Sequence, residues 1–331
     1  MTTFKEIRGT AIRSVSSDPT NPEEGQIWYN NTIGVLKGNA LVAAAWAAGG
    51  NMGTARRQIG GAGTQTAALG FGGYSTANTA ATEEYDGTSW GPGGNMGTTR
   101  RDMGSAGTQT AGLGFGGYTT APTNVTEEYD GSTWSPSGNM ATSRRSLAGC
   151  GTQTAGLAFG GATTAPGSSP TSPTNATEEY NGSTWSGGGN LSIPISGLAG
   201  AGTQTAGLAF GGFNVSSPPP TNVATTQEYD GSSWTSGGNL GTARYLLAGA
   251  GTQTAGLAFG GYTTAVTAAT ELYNGTSWTN STNLTTARST LGGVGTQTAG
   301  LAFGGGTPSN TAATEEFTGA FLSNKTITTT S

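Results

Sequence analysis

Bulky and small residues alternate along short stretches of this chain. In Gly207 to Phe210, Leu208 and Phe210 alternate with Gly207 and Ala209, the period-two pattern of a strand. The surrounding phrase, GTQTAGLAFGG or a near copy, begins at Gly63, Gly107, Gly151, Gly202, Gly251 and Gly295. The intervals are 44, 44, 51, 49 and 44 residues. A fixed period of roughly 20–50 residues marks solenoids, propellers or arrays.

Within one period the pattern predicts four strands. From Arg244 to Thr279 they read YLLAGAGT, AGLAFGG, TELY and TSWT. An Asp-Gly or Asn-Gly pair separates the last two, at Asp86-Gly87, Asp130-Gly131, Asn181-Gly182, Asp230-Gly231 and Asn274-Gly275. Such a pair predicts a two-residue hairpin link, because both residues tolerate positive φ. The chain thus reads as all-β, a six-bladed propeller with four-stranded antiparallel blades. Gly- and Ala-rich strands suit the crowded centre. Trp90, Trp134, Trp185, Trp234 and Trp278 lie on outer strands, where the gap between blades widens.

The two ends of the repeat array complement each other. Residues 41–49, with Trp46, have no TEEY strand before them, and Thr314–Phe317 (TEEF) has no Trp strand after it. Pairing the two would complete the sixth blade and remove a free edge. TGAFLSN, residues 318–324, competes as that fourth strand. The expected division is an arm with a hairpin over 1–38, the propeller over 39–319 and a tail over 320–331.

Composition narrows the chemistry. The 331 residues carry a formal net charge of −5, and only 9% are charged. That argues against a nucleic-acid partner, which needs clustered cations. Histidine is absent, which removes the commonest general base and metal ligand. The single cysteine, Cys150, fills the slot that holds Ala62, Ala106, Ala201, Ala250 and Val294 in the other repeats. It reads as a buried packing residue, and neither a metal nor a cofactor is expected. The start, MTTFKEIRGTAIRS, lacks the apolar stretch of a signal peptide. No apolar run reaches the roughly 18 residues of a spanning helix, so no membrane insertion is expected.

A charge pattern runs through the repeats. Arg56, Arg100, Arg144, Arg244 and Arg288 each follow an Asn by five residues, and the acid two before the Tyr or Phe is Glu83, Glu127, Glu178, Glu271 or Glu315. In the fourth repeat Ile195 and Gln227 stand there instead. Cation and anion vanish together, which predicts an Arg–Glu pair, at least partly buried, in each of the others. Adjacent strand residues face opposite ways, so Glu83 and Glu84 cannot flank one scissile bond. A non-enzymatic protein is expected. GAGTQTAG lacks the Lys-Ser/Thr and helix of a P-loop. The six equivalent glutamines, Gln65 to Gln297, leave two readings open: a ring holding water, an ion or a ligand at one channel mouth, or plain hydrogen bonding within turns.

Two repeats carry long Pro-rich insertions, residues 162–176 and 213–225. In an up-and-down blade these loops emerge on one face, and binding residues concentrate on loops held by a rigid scaffold. The candidate ligand residues are Pro166, Ser169 and Pro219 in the loops, with Tyr74, Tyr118, Phe213 and Tyr262 at the roots of the equivalent loops. These aromatics either stack on sugar rings or pack over the blade tops.

An Arg, a Gly-Gly doublet, Glu-x-Tyr, Trp and then Asn-Met recur here as Arg56, Gly72-Gly73, Glu83 to Tyr85, Trp90 and Asn95-Met96. This resembles the kelch repeat over about residues 40–320. The resemblance implies a β-propeller that serves as an interaction scaffold; kelch-type copper oxidases need His ligands, which this chain lacks. DPTNPEEGQIWYNNTIGVLKG, residues 18–38, reads as a Pro-rich turn and a hairpin with strands near Gln26–Asn30 and Gly34–Lys37. It resembles short modules of tailed-bacteriophage structural proteins. The Thr/Ala/Gly-rich repeats ending in KTITTTS are similar to kelch-like proteins of marine phages. The resemblance implies a virion protein present in multiple copies, made in the host cytoplasm. Residues 1–38 would bind other virion proteins, and the propeller, as a tail-fibre or adhesin-like module, would touch a host-surface glycan. The alternatives are a head-decoration or fibre-base protein bridging other virion proteins, and a lectin.

Overall fold

The computed structural model describes residues 12–167, 172–215 and 221–327. No helix occurs among them. The chain divides into two compact units, one of Ala45–Thr318 and one of Met1–Ala44 with Gly319–Ser331.

The Ala45–Thr318 unit holds six four-stranded antiparallel sheets among its described residues, one per repeat. The first comprises Gly60–Gly63, Ala68–Phe71, Thr82–Tyr85 and Trp90–Pro92. The sixth comprises Gly292–Gly295, Ala299–Phe303 and Thr314–Thr318, completed by Ala45–Ala48 from the other end of the unit. Trp46 stands opposite Phe317 there, as Trp90 does opposite Tyr85. This strand is shorter than the expected 41–49, because Leu41 and Val42 pair elsewhere. The expected two-residue hairpin links are four-residue loops. Asp86 Oδ1 accepts the Thr88 and Ser89 amides, and the chain re-pairs only at Tyr85 and Trp90.

The innermost strands adjoin in chain order, and Gly292–Gly295 adjoins Gly60–Gly63, a propeller-like arrangement. Both faces of the second strand of each sheet are buried, because each sheet lies between two others. Glycine is needed at this approach: a Cβ on Gly200 would meet the Phe159 ring at 2.6 Å and the Gly149 carbonyl at 3.0 Å, both in the third sheet.

Polar side chains tie each sheet to the one before it. Trp134 Nε1 donates to Thr82 Oγ1 at 2.9 Å, and Trp185, Trp234, Trp278, Trp46 and Trp90 repeat the bond to Thr126, Thr177, Thr226, Thr270 and Thr314. Gln109 Nε2 donates to the carbonyls of Ala68 and Tyr85, and Gln65 likewise to Gly300 and Phe317. The six glutamines therefore form neither a ligand ring nor local turn bonds. They staple neighbouring sheets by satisfying strand-end carbonyls. The second Glu of each TEEY motif also links sheets. Tyr129 Oη donates to Glu84 Oε1 at 2.6 Å, and Tyr180, Tyr229, Tyr273 and Tyr85 repeat this with Glu128, Glu179, Glu228 and Glu316.

Inside each sheet but the fourth, the expected ion pair is present and buried. Arg56 lies 3.1 Å from Glu83, Arg100 3.1 Å from Glu127, Arg144 3.1 Å from Glu178 and Arg288 3.0 Å from Glu315; Arg244 pairs with Glu271. Except in Arg244, the guanidinium also donates to the first carbonyl of the Gly-Gly doublet and to the carbonyl before the TEEY strand, as Arg56 does to Gly72 and Ala81. Burial pushes the Arg100 guanidinium down to about 10, opposed by Glu127. Cys150 is buried, as are Ala62, Ala106, Ala201, Ala250 and Val294, and burial pushes its thiol up to about 12.

In the other unit, Ile27–Asn30 and Val35–Val42 form the expected hairpin, and Arg13–Val15 joins it in parallel. Phe321–Thr326 pairs with Val35–Val42, setting Leu322 opposite Leu41 and Phe321 opposite Val42. By contacts the chain divides at 44/45 and 318/319, where 38/39 and 319/320 were expected, and Phe321–Thr326 joins this unit's sheet rather than the sixth repeat sheet. Asp18 anchors this unit by accepting from Trp28, Asn30 and Lys37. Those bonds, that of Lys37 first, hold its carboxyl at about 2.

Candidate functional site

Two residues beyond each buried Arg, or beyond Ile195, the backbone turns left-handed. The residues are Gln58, Asp102, Ser146, Gly197, Leu246 and Thr290, with φ of 51–64°. Each amide donates to the carbonyl of its counterpart in the preceding sheet: Asp102 to Gln58 (3.2 Å), Ser146 to Asp102 (2.7 Å), Gly197 to Ser146 (2.8 Å), Leu246 to Gly197 (2.7 Å) and Thr290 to Leu246 (2.8 Å). Gln58 donates to Thr290 at 2.7 Å, and the cycle closes. Left-handed backbone at non-Gly residues costs about 1–3 kcal/mol each and persists where the surroundings enforce it. Here the enforcing element is the cycle itself. With these residues, Ile59, Met103, Leu147, Leu198, Leu247 and Leu291 line a space of about 100 Å³.

This end of the unit gathers the candidate chemistry. The residue before each left-handed position pairs in antiparallel fashion with the residue after Gly-Gly: Arg57 with Tyr74, Arg101 with Tyr118, Arg145 with Ala162, Ser196 with Phe213, Tyr245 with Tyr262 and Ser289 with Gly306. Arg–Tyr pairs therefore occupy one side of the mouth and aromatic pairs the other. The Arg57 and Arg101 guanidiniums lie 5.3 and 4.9 Å from the Tyr74 ring centre, and Arg101 also lies 5.0 Å from that of Tyr118, within cation–π reach. Opposite them, Phe213 contacts Tyr245 at 5.4 Å between ring centres, and Tyr245 contacts Tyr262 at 5.6 Å.

Two depressions open here. One, of about 460 Å³, is lined by Arg57, Gln58, Tyr74, Arg101, Leu246 and Tyr262 among others. The second, of about 440 Å³, includes Gln58, Asp102, Arg145, Pro166, Phe213 and Leu246. They share Gln58 and Leu246 and run side by side across the mouth. Asp102 lies among the arginines. Its Oδ1 accepts from Gln58 Nε2 at 2.8 Å, while Oδ2, buried and without a hydrogen bond, is 3.9 Å from Arg101 Nε. Burial pushes the Asp102 carboxyl upward, against the pull of Arg145, Arg101, Gln58 and Arg57.

The structure thus brings together Tyr74 and Tyr262 in one depression and Pro166 and Phe213 in the other. Tyr118 stands beside Arg101, its hydroxyl donating to the Thr120 carbonyl. Ser169 and Pro219 lie outside the described residues. The tyrosines and Phe213 are half-buried, each leaving part of a ring accessible. The pattern reading missed Arg57, Arg101, Arg145 and Asp102. The signal was present as the doublets Arg56-Arg57, Arg100-Arg101 and Arg144-Arg145, whose first member is buried and whose second reaches the mouth. Neither Glu of a TEEY motif reaches this site; one face of that strand carries the Arg partner and the other the Tyr partner.

Among the described residues no three acidic or thiol side chains converge as a metal site requires. No protein-family profile matches the chain, and the comparison with curated proteins finds no match.

Proposed function

We propose that this chain is a non-enzymatic, receptor-binding component of a phage particle, and that Ala45–Thr318 is a closed six-bladed kelch-like propeller binding its receptor at the arginine and aromatic mouth. The observation that carries the reading is convergence: half-buried aromatics, arginines with no hydrogen-bonded carboxylate among the described residues, and two adjoining depressions meet at one end of a rigid repeat scaffold. The cyclic amide hydrogen bonds and the return of the sixth innermost strand to the first support closure. The kelch-like repeats, and the likeness of residues 18–38 to phage structural modules, supply the class. The other unit suits attachment to the particle: all the large apolar side chains exposed among the described residues, Ile12, Tyr29, Ile33, Leu41, Phe321 and Leu322, belong to it.

Competition for adsorption tests this reading. Excess full-length protein should block attachment of its phage to host cells, and the Tyr74→Ala/Tyr262→Ala variant should block it at least about tenfold less well, as loss of aromatic anchors does. Undiminished adsorption with the wild-type protein would overturn receptor binding in favour of a head-decoration or fibre-base role.

A further inference from the structure

The distribution of cations at the mouth says which receptor chemistry it fits. Residues 45–318 contain no Lys and eight Arg. Five of these, Arg56, Arg100, Arg144, Arg244 and Arg288, are buried against glutamates. The other three, Arg57, Arg101 and Arg145, all stand at the mouth, in three consecutive repeats. The acids of the same unit are occupied elsewhere. Each TEEY-type glutamate binds an Arg or a Tyr, and Asp86, Asp130 and Asp230 cap turns. Asp102 is the one carboxylate at the mouth among the described residues, and it is buried. A chain of net charge −5 therefore presents a positive patch where Tyr74, Tyr118, Phe213 and Tyr262 are half-buried.

We infer that this mouth binds a linear saccharide carrying repeated acidic groups, carboxylates or sulfates, laid across both depressions; this rests on the receptor-binding reading above. Planar guanidiniums match carboxylate and sulfate oxygens in fork geometry. Arg57 makes no side-chain hydrogen bond among the described residues; Arg101 donates from Nη1 to Asn78 Oδ1, and Arg145 from Nε and Nη1 to the Thr164 carbonyl and Ser146 Oγ, which leaves Nη2 of each uncommitted among the described residues. Arg57 and Arg101 serve the first depression and Arg145 the second, so successive acidic units meet successive arginines. Tyr262 and Phe213 offer ring surface to the sugars between them, while the Tyr74 ring lies against Arg57 and Arg101 and holds them in place. Each depression falls in the range of roughly 300–1,000 Å³ typical of small-molecule sites. An acidic peptide is the less suited occupant. Peptide capture by strand addition needs free edge amides, whereas the amides at this mouth are consumed by the cycle and by the Arg57–Tyr74 type of pair; a peptide would have only the arginines to hold it.

Titration calorimetry on the full-length chain tests the inference with four probes: hexagalacturonate, a heparin hexasaccharide, neutral maltohexaose and hexaglutamate. At least one of the two acidic saccharides should bind at least about tenfold tighter than maltohexaose and weaken as salt rises from about 50 to 300 mM, as screening requires. Arg57→Gln and Arg101→Gln should each lower that affinity roughly tenfold, since each removes a charge-assisted contact, and Arg57→Gln should do so with unchanged melting. Arg13→Gln, in the other unit, should leave it unaltered. Equal affinity for maltohexaose would overturn the charge requirement while leaving a neutral glycan receptor. Hexaglutamate binding as tightly as the acidic saccharides would replace the saccharide by an acidic peptide. If no saccharide binds yet the protein still blocks adsorption, this inference fails and receptor binding stands.

Discussion

The fourth repeat sheet and its five siblings solve one packing problem in two ways. In the siblings a buried Arg meets a Glu whose second oxygen accepts a backbone amide, as Glu127 Oε2 does from Gly97 at 2.6 Å. In the fourth, Gln227 Oε1 keeps that amide bond, to Ser192 at 2.8 Å, and Ile195 fills the Arg position at 2% exposure. The amide acceptor is common to all six sheets; the charge is not. The junction of the fifth and sixth sheets repeats the lesson for the Tyr–Glu link. Leu272 stands where a Glu would accept, and Phe317 where a Tyr would donate. Both donor and acceptor are gone, so neither is left buried without a partner.

Copying these natural replacements one residue at a time should break the comparison. Arg100→Ala, which strands Glu127, should cost about 3–5 kcal/mol in urea unfolding. The pair Arg100→Ile/Glu127→Gln, which rebuilds the fourth-sheet solution, should recover all but about 1 kcal/mol, because no uncompensated charge remains. Additive losses from the two substitutions would show that the charges do not act as a pair. Next in size, Glu84→Leu should cost about 1.5–3 kcal/mol by removing the charged acceptor of Tyr129. Adding Tyr129→Phe should return most of it, as at the junction of the fifth and sixth sheets.

The subtlest effect for a single substitution is a pH dependence. Burial first, and the glutamate bond second, push Tyr85, Tyr129, Tyr180, Tyr229 and Tyr273 up to about 12. An unfolded Tyr titrates near 10, so folding favours the neutral phenol. That stabilisation is complete below pH 10 and is lost as pH rises toward 12. The urea midpoint should therefore fall across this window, and Tyr129→Phe should make the fall shallower. An identical slope in the variant would remove Tyr129 from the effect.

Much of this was legible in the residues. The loss of Arg and Glu together in the fourth repeat pointed to their contact, and a strand with Trp46 but no partner pointed to the one ending at Phe317. The Leu272 and Phe317 substitutions carried the same kind of signal, but read across two repeats rather than within one. The glutamine staples were not legible, because Gln153 finds its acceptors, Gly112 and Tyr129, in another sheet. The left-handed cycle was hidden for a different reason. Its members are Gln, Asp, Ser, Gly, Leu and Thr, so no shared side chain marks the position; only the backbone is common to them.

Strand content, the repeat and the ion pairs belong to the sequence alone, since alternation and spacing fix which side chains share a face and which positions recur. Tertiary structure decided the rest. It set Phe321–Thr326 against Val35–Val42, chose which sheet each Trp, Gln and Tyr binds, and separated the two arginines of each doublet into a buried one and a mouth one. Those outcomes depend on how whole sheets stack, and stacking is a property of surfaces that no single stretch of chain contains.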